Sequence, residues 1–386
     1  MIEASQHSSA PNQESRILSL DGLRGLCILW VVFHNLYPYG SGLHNLVESS
    51  VRLIANMGWI GVQWFFVLSG FLITGILLKL KKTGGGLKNF YIRRALRIFP
   101  VYYLTLALFI FILPALGVTN AHIQGVIHHQ AWYWLYLVNW MPAFGINESG
   151  FPHLWSLAVE EQFYCIWPWL IMWLPRRWMI VVCLFCVVSS PILRYLIVVF
   201  DEANAKDLAY DLTIVRWDAL ALGALFAFAC ADMRCKQWID RNGSVFAVIV
   251  FGLILAVIAF NRSFAPVGAD ILVFNQTLAA LLGVVLLNEI LHKTGFFKGH
   301  LNSFFKVSFL RMLGKYSYSI YIFHLILHFM LGSAVAYVKA NVTSVSVITI
   351  EFAAFFFICA ASLILAALSW RYIEQPLLKF KDRFPV

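Results

Sequence analysis

Several ionisable side chains of this sequence stand inside long apolar runs, and their types and spacing suit proton transfer and anion binding. The run LSLDGLRGLCILWVVFHNLYP (18–38) holds Asp21, Arg24 and His34. As a helix it separates Arg24 and His34 by about 15 Å along the axis and about 80° around it. A neutral imidazole can take a proton from a hydroxyl nucleophile at neutral pH; an interfacial histidine bonded to solvent is the plain alternative. The run FPHLWSLAVEEQFYCIWP (151–168) holds Glu160 and Glu161. Successive helical residues point about 100° apart, so the two carboxylates need not share a partner. One could orient a histidine, as a carboxylate does in hydrolytic triads, or both could join a structural cluster with His153, Ser156 and Gln162. In NFYIRRALRIFPVYY (89–103), Arg94 and Arg97 are i and i+3 and share a helix face. Paired guanidiniums suit a phosphate-bearing ligand; anchoring to lipid headgroups is the alternative.

Other polar groups read as structural. Arg216 and Asp218 in RWDALALGALFAF are two apart, do not face each other on a helix, and are expected to pair with other helices. His324 and His328 share a face at i and i+4, but too few ligands stand near them for a metal site, and no metal is expected. Arg371 and Glu374 in RYIEQP could form a local i, i+3 ion pair. Cys183 and Cys186 form a CxxC by spacing alone and read as small apolar packing residues.

The elements that position these groups follow from composition. Of 386 residues, 61% are hydrophobic and only 12% charged, against about 25% charged in an ordinary soluble domain. Mean hydropathy is +0.76. A soluble surface must stay largely polar, so a soluble globular enzyme, a disordered chain and a secreted disulfide scaffold are excluded. The apolar runs are about 20 residues long, the length that crosses a bilayer as helix rather than as barrel strand. The sequence therefore predicts an all-α polytopic membrane bundle. Ten spans are expected at about 17–38, 57–80, 98–117, 154–174, 179–199, 212–230, 245–260, 271–291, 315–338 and 347–369. The aromatic segment 132–141 (WYWLYLVNWM is its core) is too short to span and is expected to lie at an interface or re-enter.

Net charge is +10, and its distribution sets the expected direction. Loop 81–97 holds Lys81, Lys82, Lys88, Arg93, Arg94 and Arg97, so the positive-inside rule makes it cytoplasmic and the N-terminus with it. Alternation through ten spans puts Arg176, Arg177, Arg234, Lys236, Arg241, Lys293, Lys298, Lys306, Arg311 and Lys315 on the same side. Only Arg52, Lys206, Arg262 and Lys339 fall outside. Both termini are expected inside, and 122–130 and 142–150 outside. The tail 1–16 reads as cytoplasmic and not as a cleavable signal peptide, 17–376 as one transmembrane domain, and 377–386 as a cytoplasmic tail.

Taken in order, LDGLRGL…FHN, GVQWFFVLSGFLIT (61–74), FYIRRALRIFPVYY, HLWSLAVEEQFY, RWDALALG, LGKYSYSIYIFH and RYIEQP resemble the acyltransferase-3 family of membrane-bound O-acyltransferases, over nearly the whole chain. Ending after the membrane part, the chain resembles the family's stand-alone form. The resemblance implies a ten-helix bundle in the inner (cytoplasmic) membrane. It implies transfer of an acetyl or other short acyl group from cytoplasmic acyl-CoA to a hydroxyl of a surface or exported glycan. The implied partners are the acyl-CoA donor, a carbohydrate acceptor and the bilayer, with no nucleic acid and no bound cofactor. Carried over position by position, His34, Glu160 and Arg24 match the family's catalytic histidine, glutamate and arginine, and Arg94 and Arg97 its donor-binding RxxR arginines. One departure concerns spacing: nine residues separate Arg24 from His34 where the family pattern has ten, and Asn35 takes the usual position. The expected chemistry has His34, helped by Glu160, act as base on an acceptor hydroxyl; an acyl-histidine relay is the alternative. A transporter would also place charges in spans, although no inverted repeat is visible.

Overall fold

The structure, a computed structural model, describes residues 18–38, 46–146, 150–200, 205–261, 269–291, 299–342 and 344–384. The expected tail 1–16 lies outside them. Ten long helices form the bundle: α1 (Leu18–Leu36), α2 (Ile60–Thr83), α3 (Leu87–Ala107), α4 (Trp155–Trp173), α5 (Arg176–Phe200), α6 (Thr213–Cys230), α7 (Met233–Asn261), α8 (Ala269–Leu291), α9 (Ser308–Asn341) and α10 (Val347–Ser369). Each overlaps one of the ten expected spans, α3 only over 98–107, and no strand occurs among the described residues. Helix is what an apolar chain must adopt in lipid, because it satisfies every backbone group internally.

Eight helical segments are long and apolar enough to cross a membrane. α1 and α4 are not among them, and these are the helices that carry Asp21, Arg24 and His34, and Glu160, Glu161 and Gln162. The polar groups that lower their hydropathy are the ones with chemical potential. Both helices face protein, with α1 between α2 and α9 and α4 against α2.

Close packing sets the directions. A Cβ on Gly25 would stand 1.8 Å from the Leu310 carbonyl oxygen, and one on Gly314 1.8 Å from that of Asp21. Asn35 meets His324 further along the same two helices, so α1 and α9 run parallel. α2 and α6 cross at Gly70 and Gly223, where a Cβ would meet the Leu220 and Val67 carbonyls at 2.0 and 2.1 Å. Small residues at such crossings let helix backbones touch, which drives association where lipid offers no hydrophobic gain. Contacts of Gly61 with Cys27 and of Gly58 with Trp30 make α2 antiparallel to α1. Gly84, in the left-handed conformation at φ 72°, ends α2. Beside it, Lys81 donates to the Ile171 and Leu174 carbonyls at the end of α4, at 2.5 and 2.8 Å.

A second frame is polar. Arg194 of α5, fully buried, donates to the carboxylate of Asp218 on α6 at 2.7 Å, to Gln276 and Thr277 on α8, and to the Val215 and Val273 carbonyls. Asp218 thus pairs with another helix, as expected. Arg216 lies over the Tyr210 and Trp155 rings instead, 4.1 and 4.8 Å from their centroids. Cys183 and Cys186 are buried free thiols.

The aromatic segment forms short pieces, Gln130–Trp134 and a 3-10 stretch Val138–Phe144, too short to cross. It is folded onto α3 and α4. Tyr102 stacks on Tyr136 at 4.1 Å and donates to the Tyr133 carbonyl, and Tyr103 stacks on Trp134. Asn139 is buried, donating to Thr213 and receiving a bond from Gln162. At the far end of the chain the Arg371–Glu374 pairing gives way to another. The last turn is a π-helix, Trp370–Glu374, whose wider turn breaks the i, i+3 alignment. Glu374 instead accepts from Ser319 at 2.6 Å and Ser369 at 3.2 Å.

Gly223→Val and Gly314→Val should each lower the yield of folded protein and its melting temperature, because backbone blocks the added atoms and overpacking costs about 1–3 kcal/mol or more. Gly75→Ala and Gly252→Ala, whose Cβ would meet nothing within 4 Å, should melt with the parent in a detergent thermal-shift assay.

Candidate active site

One cavity penetrates the bundle where α1, α2, α3, α4 and α9 converge. It encloses about 830 Å³, its open mouth included. Along α2 its lining runs from Val62 through Ser69 to Ile73, eleven helical steps or about 16 Å. α4 contributes Ser156, Glu160, Glu161 and Tyr164, and α9 contributes Ser317, Tyr318 and Tyr321. Arg94 and Arg97 enter from α3 and Arg24 from α1. The cavity therefore has a basic end, toward the Lys- and Arg-rich connection of α2 and α3, and a far end at Val62, Ser156 and Tyr321.

Four of the five residues singled out in the sequence meet here. Arg24 is held 3.4 Å from Asp21, one turn earlier on α1. Arg94 lies over the Tyr164 and Phe90 rings, at 5.3 and 5.8 Å. Glu160 accepts a hydrogen bond from Ser69 at 2.6 Å, and Ser69 accepts one from Tyr164 at 3.0 Å. Glu161 lines the same wall. Arg93, next to Arg94 in sequence but not lining the cavity, donates to the Phe384 carbonyl. Gln162 belongs to the Asn139–Thr213 network, whereas Ser156 lines the cavity with the two carboxylates, so the expected cluster is split between two faces of α4.

His34 stands apart. It does not line the cavity. Its Nδ1 lies 2.9 Å from the Ala55 carbonyl oxygen, which can only accept, so Nδ1 carries the proton. Its Cβ is level with Gly58 of the turn before α2. Ser69, which holds Glu160, is eleven residues further along the chain, about 16 Å away. The structure does not bring His34 and Glu160 together, because they lie at different levels along the bundle; α1 turns Asn35 toward His324 of α9. The far end of the cavity instead carries Ser156 and Tyr321, their hydroxyls 2.5 Å apart. Ser69, Ser317 and Tyr321 escape sequence reading because a lone hydroxyl in an apolar run has no spacing signal; only their motifs could have marked them.

A cavity inside a membrane bundle, lined by three guanidiniums and two carboxylates, defines a membrane enzyme or carrier for an anionic ligand. Comparison with known proteins settles the class. The acyltransferase-3 family, described as an acyltransferase domain, matches residues 17–371, and the chain belongs to it. It is 27% identical over 384 residues to the peptidoglycan O-acetyltransferase OatA of Listeria monocytogenes, covering 94% of this chain and 56% of that protein. It is 26% identical over 374 residues to the O-acetyltransferase OatA of Staphylococcus aureus, covering 93% of this chain and 57% of the relative. The chain thus spans little more than half the length of these relatives. No solved structure matches it. Family membership and eight helices long and apolar enough to cross a membrane together define a multi-pass chain of the acyltransferase-3 family.

Arg94→Ala and Arg97→Ala should each weaken binding of CoA by about tenfold or more, since a charge-assisted bond to phosphate contributes roughly 1.5–3 kcal/mol. Lys at either position should restore little, lacking the planar fork. Isothermal titration of the detergent-solubilised protein measures this; unchanged affinity in both Ala variants would leave the arginines as membrane anchors.

Proposed function

We propose that this protein transfers an acetyl or other short acyl group from cytoplasmic acyl-CoA to a hydroxyl of a surface or exported glycan. The observation that carries the reading is the cavity between α1, α2, α3, α4 and α9, basic at one end, that runs about 16 Å along α2 toward the opposite face. Its supports are the family membership and relatives named as O-acetyltransferases, one of them of peptidoglycan. All ten long helices cross the inner membrane in this reading, both termini are cytoplasmic, and the Lys- and Arg-rich connection 81–97 faces the cytoplasm.

Arg94, Arg97 and Arg24 hold the donor's phosphates. An extended thiol-bearing arm then runs along Ser69 and Glu160 toward Ser156 and Tyr321, which places the thioester near the far end. Glu160, fixed by Ser69 and Tyr164, balances the guanidiniums and polarises the cavity wall. The acceptor hydroxyl arrives from the outside, and His34, one turn beyond Val62, stands at its entrance. Oxygen attacks the thioester carbon, the carbon–sulfur bond breaks, and the proton of the hydroxyl leaves with a base at that end.

Mass spectrometry of surface glycans from cells with and without the gene should find acetyl esters only with it. Purified enzyme should release CoA in an acceptor-dependent manner. Glu160→Gln and His34→Ala should reduce transfer by about 10²-fold or more while inserting normally. CoA release independent of any acceptor variation, with uptake of an unmodified solute, would mean a transporter instead.

A further inference from the structure

The π-turn Trp370–Glu374 that ends α10 packs against α3, the helix of Arg94 and Arg97. Turns of this kind are rare and recur at functional sites. This one aims Glu374 inward, where the carboxylate accepts from Ser319 and Ser369. Trp370 stays half-buried against α9, its ring 6.1 Å from that of Tyr316. Lys315, next in the chain to Tyr316, lays its ammonium over both rings, 4.7 Å from the Trp370 centroid and 5.0 Å from that of Tyr316.

These groups stand at the cavity's basic end. Lys315 comes three residues before the cavity-lining Tyr318, so the two share a face of α9 and Lys315 lies about 4.5 Å nearer the helix start. On α3, Arg97 lines the cavity and is exposed. The charges of Arg97 and Lys315 both act on Glu374, so two cations flank that carboxylate. Among the described residues neither cation forms an ion pair. Ring faces rather than a carboxylate hold the Lys315 ammonium, which leaves its charge for a ligand. A point cation beside aromatic rings suits a phosphate carried by an aromatic base, the ammonium meeting the phosphate and the rings meeting the base.

We propose that Lys315, Tyr316 and Trp370 form the docking platform for the nucleotide end of the acyl donor, with the Lys315 ammonium on the 3′-phosphate of its ribose. This assignment rests on the acyl-CoA reading. With the donor's diphosphate on Arg94 and Arg97 and its thiol-bearing arm inside the cavity, the adenosine must lie outside the basic end, where the platform stands. Adenine lies against the Trp370 and Tyr316 rings. Glu374, tied to two serines, is a positioning residue that keeps Arg97 and Lys315 apart and turned to the mouth. The platform selects CoA thioesters over otherwise identical thioesters that lack the 3′-phosphate, and it leaves the acceptor end, where His34 stands, untouched. The phosphate of an anionic lipid headgroup offers the same ammonium the same chemistry, and the experiment separates the two sources.

Isothermal titration in neutral detergent compares CoA with 3′-dephospho-CoA. The parent should bind CoA about tenfold more tightly, the effect of one charge-assisted contact. Lys315→Met keeps an apolar stem over the rings and should bring the two affinities within about twofold by weakening CoA alone. Lys315→Arg should keep the preference, and Trp370→Leu should weaken both ligands. Equal affinities in the parent, or a preference that survives in Lys315→Met, would overturn the assignment. So would a Lys315→Met effect that arises only when phosphatidylglycerol is added, which marks a headgroup anchor. If the variants misfold, the parent decides: CoA should shield Lys315 from an amine-reactive ester more strongly than saturating 3′-dephospho-CoA does, read by mass spectrometry of its peptide. Equal shielding would overturn the proposal. A parent that binds neither ligand would instead refute the acyl-CoA reading itself.

Discussion

A charge cannot face lipid without a cost of several kcal/mol, and this constraint organises the protein. Asp21, Arg24, Arg94, Arg97, Glu160 and Glu161 all sit on helices in an apolar chain, and all but the exposed Arg97 are buried or half-buried. Arg24, Arg94, Arg97, Glu160 and Glu161 share one cavity, so each guanidinium faces carboxylates and each carboxylate faces guanidiniums. The helices that carry the greatest polar load, α1 and α4, are the ones too polar to stand against lipid by hydropathy. They are placed where neighbouring helices cover them. The proposed site for an anionic donor uses this arrangement, because the positive charge gathered at the basic end is held ready inside the bundle.

Holding such a site open requires the surrounding helices to be fixed without help from the hydrophobic effect. Backbone contacts at Gly25 and Gly314, and at Gly70 and Gly223, lock α1 to α9 and α2 to α6. The buried Arg194–Asp218–Thr277 network ties α5, α6 and α8 away from the cavity. The pairs α1–α9 and α2–α6 then set the cavity's width, while Tyr318, donating to the Ile98 carbonyl at 2.7 Å, holds α9 against α3. The same α1–α9 register that brings Gly25 to Gly314 brings Asn35 to His324 ten residues later, so the glycine crossing and this polar contact have one cause.

Most of the long helices were legible in the sequence as apolar runs, α1 and α4 being interrupted by the charged and polar residues they carry, and the aromatic segment 132–141 was legible as too short to cross. Arg24, Arg94, Arg97 and Glu160 were legible because spacing and motif put each on one helix face. The partnership of His34 with Glu160 was not. It depended on how far along the bundle each residue lies, and a sequence gives helix positions without the offset between helices. His153 was visible only as a member of a structural cluster. Its bond to the Ile322 carbonyl of α9 is a long-range contact with no local signature. The Arg371–Glu374 pair failed for a backbone reason, since a π-turn is not encoded in residue spacing.

The central claim is that the cavity is the donor site and is reached from the cytoplasmic side. Ser317, which lines its basic end, offers a direct probe as Ser317→Cys in a cysteine-free background. In inside-out vesicles a membrane-impermeant thiol reagent should label it, and CoA should slow that labelling; in intact cells the same reagent should leave it unmodified. Labelling from the outside alone, or labelling from the inside that CoA does not slow, would contradict the account.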